Sequence, residues 1–222
     1  MTKDKISHIE KALNIWAIVL IVWSFYRVKF GTTLPIWFDE FIAKPIIFLG
    51  PVFYFIKKVE KKQLFKSLGF VKKNFLKESS IGLLISVIFF SVFVFVFYSK
   101  GFFKNFNFVN AFSIIPILYL LITSFATSFS EEILSRGFIL FRLNDHFKNI
   151  FTSSFCASIL YFFIHIPILF TDKSLTGDLL IKVATVEFLL GFILSLIFLL
   201  RKNIIIPIFI HAFYNFCLWL LI

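Results

Sequence analysis

Long apolar segments alternate along this chain with short clusters of polar residues. A helix needs ~20 mostly apolar residues to cross a bilayer. Segments of about that length occur at 12–30, 35–56, 79–98, 112–141, 150–170, 179–200 and 204–222. The pattern therefore predicts an all-α fold, a polytopic transmembrane helical bundle of about seven spans. The second segment is the weakest, because Asp39, Glu40, Lys44 and Pro45 interrupt it. We expect it to be tilted, broken or partly interfacial.

The composition excludes an ordinary soluble domain. Hydrophobic residues make up 59% of the 222 residues, and the mean hydropathy is +0.94. The net charge of +11 does not indicate nucleic-acid binding, because it is concentrated between two spans. Residues 57–77 contain Lys57, Lys58, Lys61, Lys62, Lys66, Lys72, Lys73 and Lys77. Such a cluster is a topology signal and predicts contact with anionic lipids.

The basic residues also predict the orientation. With the N-terminus in the cytoplasm, sixteen Lys and Arg fall on the inner side and six on the outer side. We therefore expect a multi-pass protein of the cell membrane with a cytoplasmic N-terminus and an external C-terminus. Leu64, Leu68, Val71 and Phe75 share one helical face, which predicts an amphipathic helix on the inner leaflet.

Two parts of the chain differ in what they contain. Residues 1–111 hold the N-terminal spans and the cytoplasmic basic loop, with no motif of known chemistry. Residues 112–222 hold the polar motifs and form the predicted functional core. Cys156 and Cys217 lie within apolar runs and are predicted to be small buried hydrophobic residues, not a disulfide or a metal pair.

Polar residues lie on three of the predicted spans. A charge at the centre of a membrane helix costs at least ~2.5–3.5 kcal/mol, so such residues are rarely accidental. The spacing of four places paired groups on one helical face. The residues are Glu131, Glu132, Arg136, His165, His211 and Asn215.

Each cluster also has a structural interpretation. Glu132 and Arg136 are spaced for a salt bridge at a helix end. His165 and the His211–Asn215 pair are each suited to hydrogen bonds between helices. Three helices that all present polar faces, however, favour one shared site. Glu187 is a further intramembrane acid, which could join the site or pair with Lys182 or a tyrosine.

Depth along the helices permits such a site without proving it. At 1.5 Å per residue, Glu131 lies ~15 Å, His165 ~22 Å and His211 ~10 Å from the inner end of its predicted span. A tilt or a shifted helix boundary must absorb the difference.

The order and spacing of these motifs resemble a known family. The sequence has Glu131-Glu132-x-x-x-Arg136-Gly137, then Tyr161-x-x-x-His165, then His211-x-x-x-Asn215. This resembles the CPBP family of intramembrane proteases, which includes the type II CAAX prenyl endopeptidases and the Abi proteins, over about residues 112–217. The sequence departs from the family at two positions. Tyr161 stands where Phe is usual, and Ser135 stands where an aromatic residue often precedes Arg-Gly.

The resemblance implies a role for each matching residue. Glu131 and His165 would activate a water for attack on a peptide carbonyl, and His211 and Asn215 would stabilise the oxyanion. Glu132 and Arg136 would shape and charge-balance the site. We expect no cofactor, because His-Glu-x-x-His is absent, but zinc bound by Glu131, His165 and His211 is the alternative.

The leading hypothesis is therefore an endopeptidase embedded in the membrane, whose substrate is a membrane-associated peptide or protein. The alternatives are a non-catalytic bacteriocin-immunity or scaffold protein of the same fold, and a small transporter with a Glu and His proton relay. No inverted repeat supports the transporter.

Overall fold

The fold is a bundle of helices packed around a polar interior. A computed structural model describes residues 8–31, 33–71, 74–99, 114–171 and 176–220. Within these ranges the chain forms eight helices and no strand. They are α1 (His8–Lys29), α2 (residues 36–59), α3 (Leu64–Ser67), α4 (Phe75–Ser99), α5 (residues 114–147), α6 (Ile150–Thr171), α7 (Gly177–Arg201) and α8 (Ile205–Trp219).

The predicted all-α membrane fold is confirmed, but the count of seven spans is not. By length and apolar composition, five of the described helical segments can cross a membrane: His8–Lys29, Phe75–Val96, Ile115–Phe147, Ile150–Leu169 and Leu180–Arg201. The segment predicted at 204–222 contains the shorter apolar helix α8. The segment predicted at 35–56 is also outside the five, because its polar residues interrupt the apolar run.

Helix α2 is continuous in spite of those residues. It contains three stretches of wide π-helical turns, at Asp39–Ala43, Pro45–Leu49 and Phe55–Val59. Proline removes a backbone donor and crowds the carbonyl four residues earlier, and a wider turn gives the ring more room. Asp39 near the start of α2 pairs with Tyr26 and Arg27 near the end of α1. The two helices are therefore antiparallel neighbours.

Helix α5 runs through the middle of the bundle. It is α-helical over Ile114–Glu132, π-helical over Ile133–Leu140 and α-helical again over Phe141–Phe147. Every residue of the π-helical stretch is buried. It packs with α1, α2 and α6 around the main hydrophobic cluster, which includes Trp23, Phe48 and Leu134. Because π-helical turns are common near functional sites, the residues just before this stretch are of interest.

The predicted amphipathic helix over residues 64–75 is wrong. Helix α3 ends at Ser67, and Gly69 follows with a φ of 83°. Leu68 is buried in the main cluster, and its carbonyl oxygen would lie 2.9 Å from a Cβ added at Gly137. The turn therefore inserts against α5 where glycine leaves room, and a helix lying flat on the membrane could not do this.

Candidate active site

Five helices contribute polar side chains to one buried cluster. Helix α5 supplies acidic residues and an arginine, α6 and α8 supply the two histidines, and α2 and α7 add further charged groups. The cluster, which we call the polar interior, consists of Glu40, Lys44, Glu131, Glu132, Arg136, Tyr161, His165, Glu187, His211 and Asn215, and all of these are buried.

Glu131 lies at the junction of α2, α5, α6 and α8. Its Oε1 accepts a hydrogen bond from Nζ of Lys44 at 2.8 Å. Its Oε2 lies 3.4 Å from Nε2 of His165 and 3.6 Å from Nε2 of His211. Oε2 is buried and has no hydrogen-bond partner among the described residues. One carboxylate oxygen is thus fixed by a cation, and the other is left facing two imidazoles.

Glu132 and Arg136 form the ion pair that their spacing predicts. Nη1 of Arg136 lies 2.7 Å from Oε1 of Glu132, and both side chains are fully buried. Nη2 of Arg136 donates to the carbonyl of Gly191 at 3.2 Å, and the guanidinium stacks 4.2 Å above the ring of Tyr161. The pair joins α5 to α6 and α7 deep in the bundle. It does not close a helix end at the membrane surface.

The partners of the two imidazoles set their orientation. Nδ1 of His165 donates to the carbonyl of Tyr161 at 2.9 Å, and Nδ1 of His211 donates to Oε1 of Glu132 at 2.8 Å. Both acceptors lack a proton, so each Nδ1 carries the hydrogen. In the neutral rings, each Nε2 is therefore an acceptor. Three acceptor atoms, the two Nε2 and Oε2 of Glu131, face one another.

Asn215 lies one turn after His211 on α8. Its Nδ2 donates to Oγ of Ser128 at 3.2 Å, and Ser128 precedes Glu131 by one turn of α5. The amide is therefore beside the glutamate on neighbouring helices, with a hydroxyl as its partner. The amide donates here to a neutral hydroxyl. It can turn to a stronger, charged acceptor at small cost.

One comparison with known proteins identifies the second half of the chain. Residues 112–217 match the model of the family described as type II CAAX prenyl endopeptidase Rce1-like. Residues 112–217 belong to the CAAX protease family. No curated protein and no solved structure gives a significant match. The family is one of proteases, which supports peptidase activity at the level of the family, although its domain also occurs in non-catalytic members.

The CAAX protease domain brings together most of the predicted site residues. Direct contacts connect Glu131 with His165 and His211, and Glu132 with Arg136 and His211. Asn215 is adjacent through Ser128. Their roles in catalysis remain predictions.

Two features reconcile the unequal depths estimated from the sequence. Helix α5 ends at Phe147 and not at 141, which adds ~9 Å at 1.5 Å per residue to the distance of Glu131 from its helix end. Helix α8 begins inside the bundle, because Asn203 and Ile204 are buried and the amide of Ile204 donates to the carbonyl of Gly69. Both shifts bring Glu131 and His211 towards the level of His165.

Lys44 is a member of the cluster that the sequence motifs do not predict. Lys44 lies in α2, outside the CAAX protease domain, and it pairs with both Glu131 and Glu40. The signal was present, because Glu40 and Lys44 have the same spacing of four, inside an apolar segment, that drew attention to Glu132 and Arg136. In the sequence, those polar residues indicate only a weak membrane span.

Tyr161 and Glu187 form a second layer of the site. The hydroxyl of Tyr161 lies 3.2 Å from Oε2 of Glu187 and 3.2 Å from Nε2 of His211. Oε2 of Glu187 is also 3.8 Å from Nε2 of His165. Glu187 therefore adjoins the site and also pairs with a tyrosine, which are two of the possibilities that the sequence leaves open. The hydroxyl that distinguishes Tyr161 from the usual Phe of the family contacts both a carboxylate and an imidazole.

No group of three or more His, Cys, Asp or Glu is arranged to hold a metal ion within the residues that the structure describes. The alternative zinc ligands, Glu131, His165 and His211, nevertheless face one another. Zinc would need a free carboxylate oxygen and two Nε2 lone pairs. These are present. The other oxygen of Glu131, however, is ion-paired with the ammonium of Lys44, which would repel a divalent cation bound to the same carboxylate.

Proposed function

We propose that this protein is an intramembrane endopeptidase that hydrolyses a peptide bond in a membrane-associated protein or peptide. The observation that supports this most is the environment of Oε2 of Glu131, a buried carboxylate oxygen that faces the Nε2 atoms of His165 and His211. Water, the reactant that a hydrolase requires, has two O–H donors and suits two of these acceptors, Oε2 of Glu131 and Nε2 of His165. Nε2 of His211 also lies 3.2 Å from the hydroxyl of Tyr161.

The proposed reaction uses Glu131 and His165 as the groups that activate this water. One water proton passes to Oε2 of Glu131, while the oxygen attacks the carbonyl carbon of the substrate. The carbonyl oxygen becomes an oxyanion, and Asn215 donates a hydrogen bond to it. His211 donates a second hydrogen bond from Nε2 in its protonated form, because its Nδ1 already donates to Glu132. When the C–N bond breaks, the amine takes up the proton that Glu131 accepted. The second water proton stays on the new carboxyl group, so the products are a carboxylic acid and an amine.

Glu132 and Arg136 have a supporting role in this proposal. Glu132 accepts from Nδ1 of His211 and thereby fixes which nitrogen of that ring faces Glu131. Arg136 balances the charge of Glu132. Arg136 also stacks on Tyr161, and this contact connects the ion pair to the helix that contains His165. These residues orient the reacting groups and do not themselves touch the substrate.

The test is hydrolysis by the purified protein in lipid vesicles. A library of peptides with a prenylated cysteine, and a matched library without the prenyl group, is incubated in ¹⁸O water and analysed by mass spectrometry. We expect the wild type to produce fragments whose new carboxyl group carries ¹⁸O, and Glu131→Gln to produce none. If both proteins leave every peptide intact, the non-catalytic alternative is favoured. If Glu131→Gln is as active as the wild type, the proposed role of Glu131 is wrong.

The proposed mechanism needs no metal ion. The ammonium of Lys44 beside Glu131 supports this, because it supplies the positive charge that zinc would otherwise provide. We expect zinc well below one equivalent in the purified protein, and activity that survives a strong chelator. Stoichiometric zinc in the wild type that is lost in His165→Ala and His211→Ala would favour the alternative ligand set of Glu131, His165 and His211.

We also propose that the N-terminus is cytoplasmic and the C-terminus external, with the lysines of residues 57–77 against anionic lipid. Lys57, Lys58, Lys61, Lys62 and Lys66 are exposed, which supports the lipid contact. With Cys156 and Cys217 replaced, cysteine is introduced at Lys66 or, as the matched control near the opposite end of α2, at Thr33. An impermeant maleimide should label the first only from the cytoplasmic side and the second only from outside. The reverse pattern would overturn the orientation.

A further inference from the structure

Lys44 is a buried cation shared by two carboxylates. Its Nζ lies 2.8 Å from Oε1 of Glu131 and 2.8 Å from Oε2 of Glu40. Oε2 of Glu40 also accepts a hydrogen bond from Oγ1 of Thr127 at 2.6 Å. The ammonium is 5.7 Å from the ring centroid of Trp23. Side chains from α1, α2 and α5 thus surround this one group.

A lysine in such a place is costly unless it is fully paired. Removing an ammonium from water costs several kcal/mol, and only close, well-oriented partners recover it. Here the recovery comes from Glu40 and Glu131. Removal of Lys44 would leave both carboxylates buried without their cation, and a buried carboxylate without a counter-charge takes up a proton instead.

The contact also decides which oxygen of Glu131 is available. Oε1 is held by Lys44, and Oε2 points at the two imidazoles. A carboxylate is free to rotate about its last bond unless one oxygen is fixed. The ammonium therefore keeps the proposed base in one orientation and in its charged form.

We propose that Lys44 is a positioning residue of the active site, supplied by a helix outside the CAAX protease domain, that holds Glu131 as an oriented carboxylate. This inference rests on the proposed function of Glu131. It follows that residues 112–217 do not make a complete site without α2. The N-terminal half is then part of the catalytic apparatus and not only a membrane anchor.

Glu40 provides a matched control. It contacts the same ammonium as Glu131, at the same distance, but no contact with His165 or His211 is present among the described residues. Glu40→Gln removes one of the two negative charges around Lys44 and leaves the pair between Lys44 and Glu131. A purely structural role of Lys44 would make Glu40→Gln and Lys44→Met similar in their effect on activity.

The first measurement needs no substrate. Infrared spectra of the protein in vesicles are recorded for the wild type, Lys44→Met, and Lys44→Met/Glu131→Gln. We expect Lys44→Met to gain the carbonyl band of a protonated carboxylic acid, and the double variant to lose the part of it that belongs to Glu131. An identical band in the single and double variants would overturn the proposal, whether or not the protein proves to be a protease.

The second measurement uses the peptide that the wild type cleaves in the vesicle assay. At a temperature where all variants are folded, Lys44→Met should lower kcat by about 10- to 100-fold with KM within about twofold, because a misplaced catalytic group costs about that much. Glu40→Gln should lower kcat less than Lys44→Met does, because the pair between Lys44 and Glu131 remains. Equal losses of kcat in Lys44→Met and Glu40→Gln would contradict a positioning role.

Folding of Lys44→Met is itself informative. If the variant does not fold, Lys44→Met/Glu131→Gln should recover a folded protein, because the second change removes a carboxylate that lost its partner. Failure of the double variant to fold better than the single one would mean that Lys44 does not act through Glu131.

Discussion

Helices α4 and α5 both cross the bundle, but they differ in what surrounds them. An 18-residue window of α4 has a mean hydropathy of 2.5 with 11% of its residues buried, whereas the corresponding window of α5 has a mean hydropathy of 1.3 with 50% buried. In a membrane, the more apolar helix is thus the one at the periphery, because lipid accepts apolar side chains as readily as the protein core does. The helix with charged residues is the one that the rest of the protein must enclose.

The ion pairs of the two helices show the same contrast. Glu78 in the first turn of α4 pairs with Arg201, a partly exposed residue at the end of α7. Glu131 and Glu132 lie in the middle of α5, and each is buried against a cation and an imidazole. Charge at a helix end is compatible with water and lipid head groups. Charge in mid-helix requires partners from other helices, so α5 determines how α2, α6, α7 and α8 are arranged.

The largest effect on stability is expected at Arg136. Arg136→Ala leaves Glu132 buried without its cation and should lower the free energy of unfolding by about 3–5 kcal/mol. Thermal unfolding in detergent measures this. The matched control is Lys148→Ala, which breaks the exposed pair between Lys148 and Asp145 and should leave the midpoint unchanged. Equal midpoints for all three proteins would mean that the buried pair contributes nothing to the bundle.

Two leucines, one in α5 and one in α4, test the same contrast between the two helices without changing any charge. Leu134 in α5 is 0% exposed, and Leu84 in α4 is 61% exposed. Leu134→Ala should cost about 2–5 kcal/mol, since it removes a packed side chain from the core. Leu84→Ala should change the free energy of unfolding much less, because lipid fills the space. If reversible unfolding in mixed micelles gives the same loss for both, α4 is not at the lipid-facing periphery.

The smallest expected effect is that of the Tyr161 hydroxyl. Tyr161→Phe keeps the ring beneath Arg136 and removes the hydroxyl, with its hydrogen bond to Glu187 and its 3.2 Å contact with Nε2 of His211. A hydrogen bond contributes about 0.5–1.5 kcal/mol, so we expect a loss of stability in that range and a decrease in kcat of at most about tenfold. Unfolding and peptide cleavage are measured on the same preparation. A loss of activity as complete as that of Glu131→Gln would instead make the hydroxyl a catalytic group.

Sequence patterns predicted the parts of this molecule that depend on local spacing. The pairing of Glu132 with Arg136 follows from residues four apart, and the all-α membrane class follows from the apolar runs. The buried start of α8 could not be derived in this way, because the amide of Ile204 donates to the carbonyl of Gly69, which is far away in the sequence. The pairing of Lys44 with Glu131 joins residues that are 87 positions apart. No pattern of local residue spacing predicts such a long-range contact.

The central claim is that Glu131 and His165 act on one water as a single unit. The measurement that tests it most directly is kcat for Glu131→Gln, His165→Ala and the double variant, on the same peptide in the same vesicles. Groups that act as a unit lose their effect together, so the double variant should be little slower than either single variant. Losses that multiply in the double variant would show that the two residues act independently, and would contradict the account.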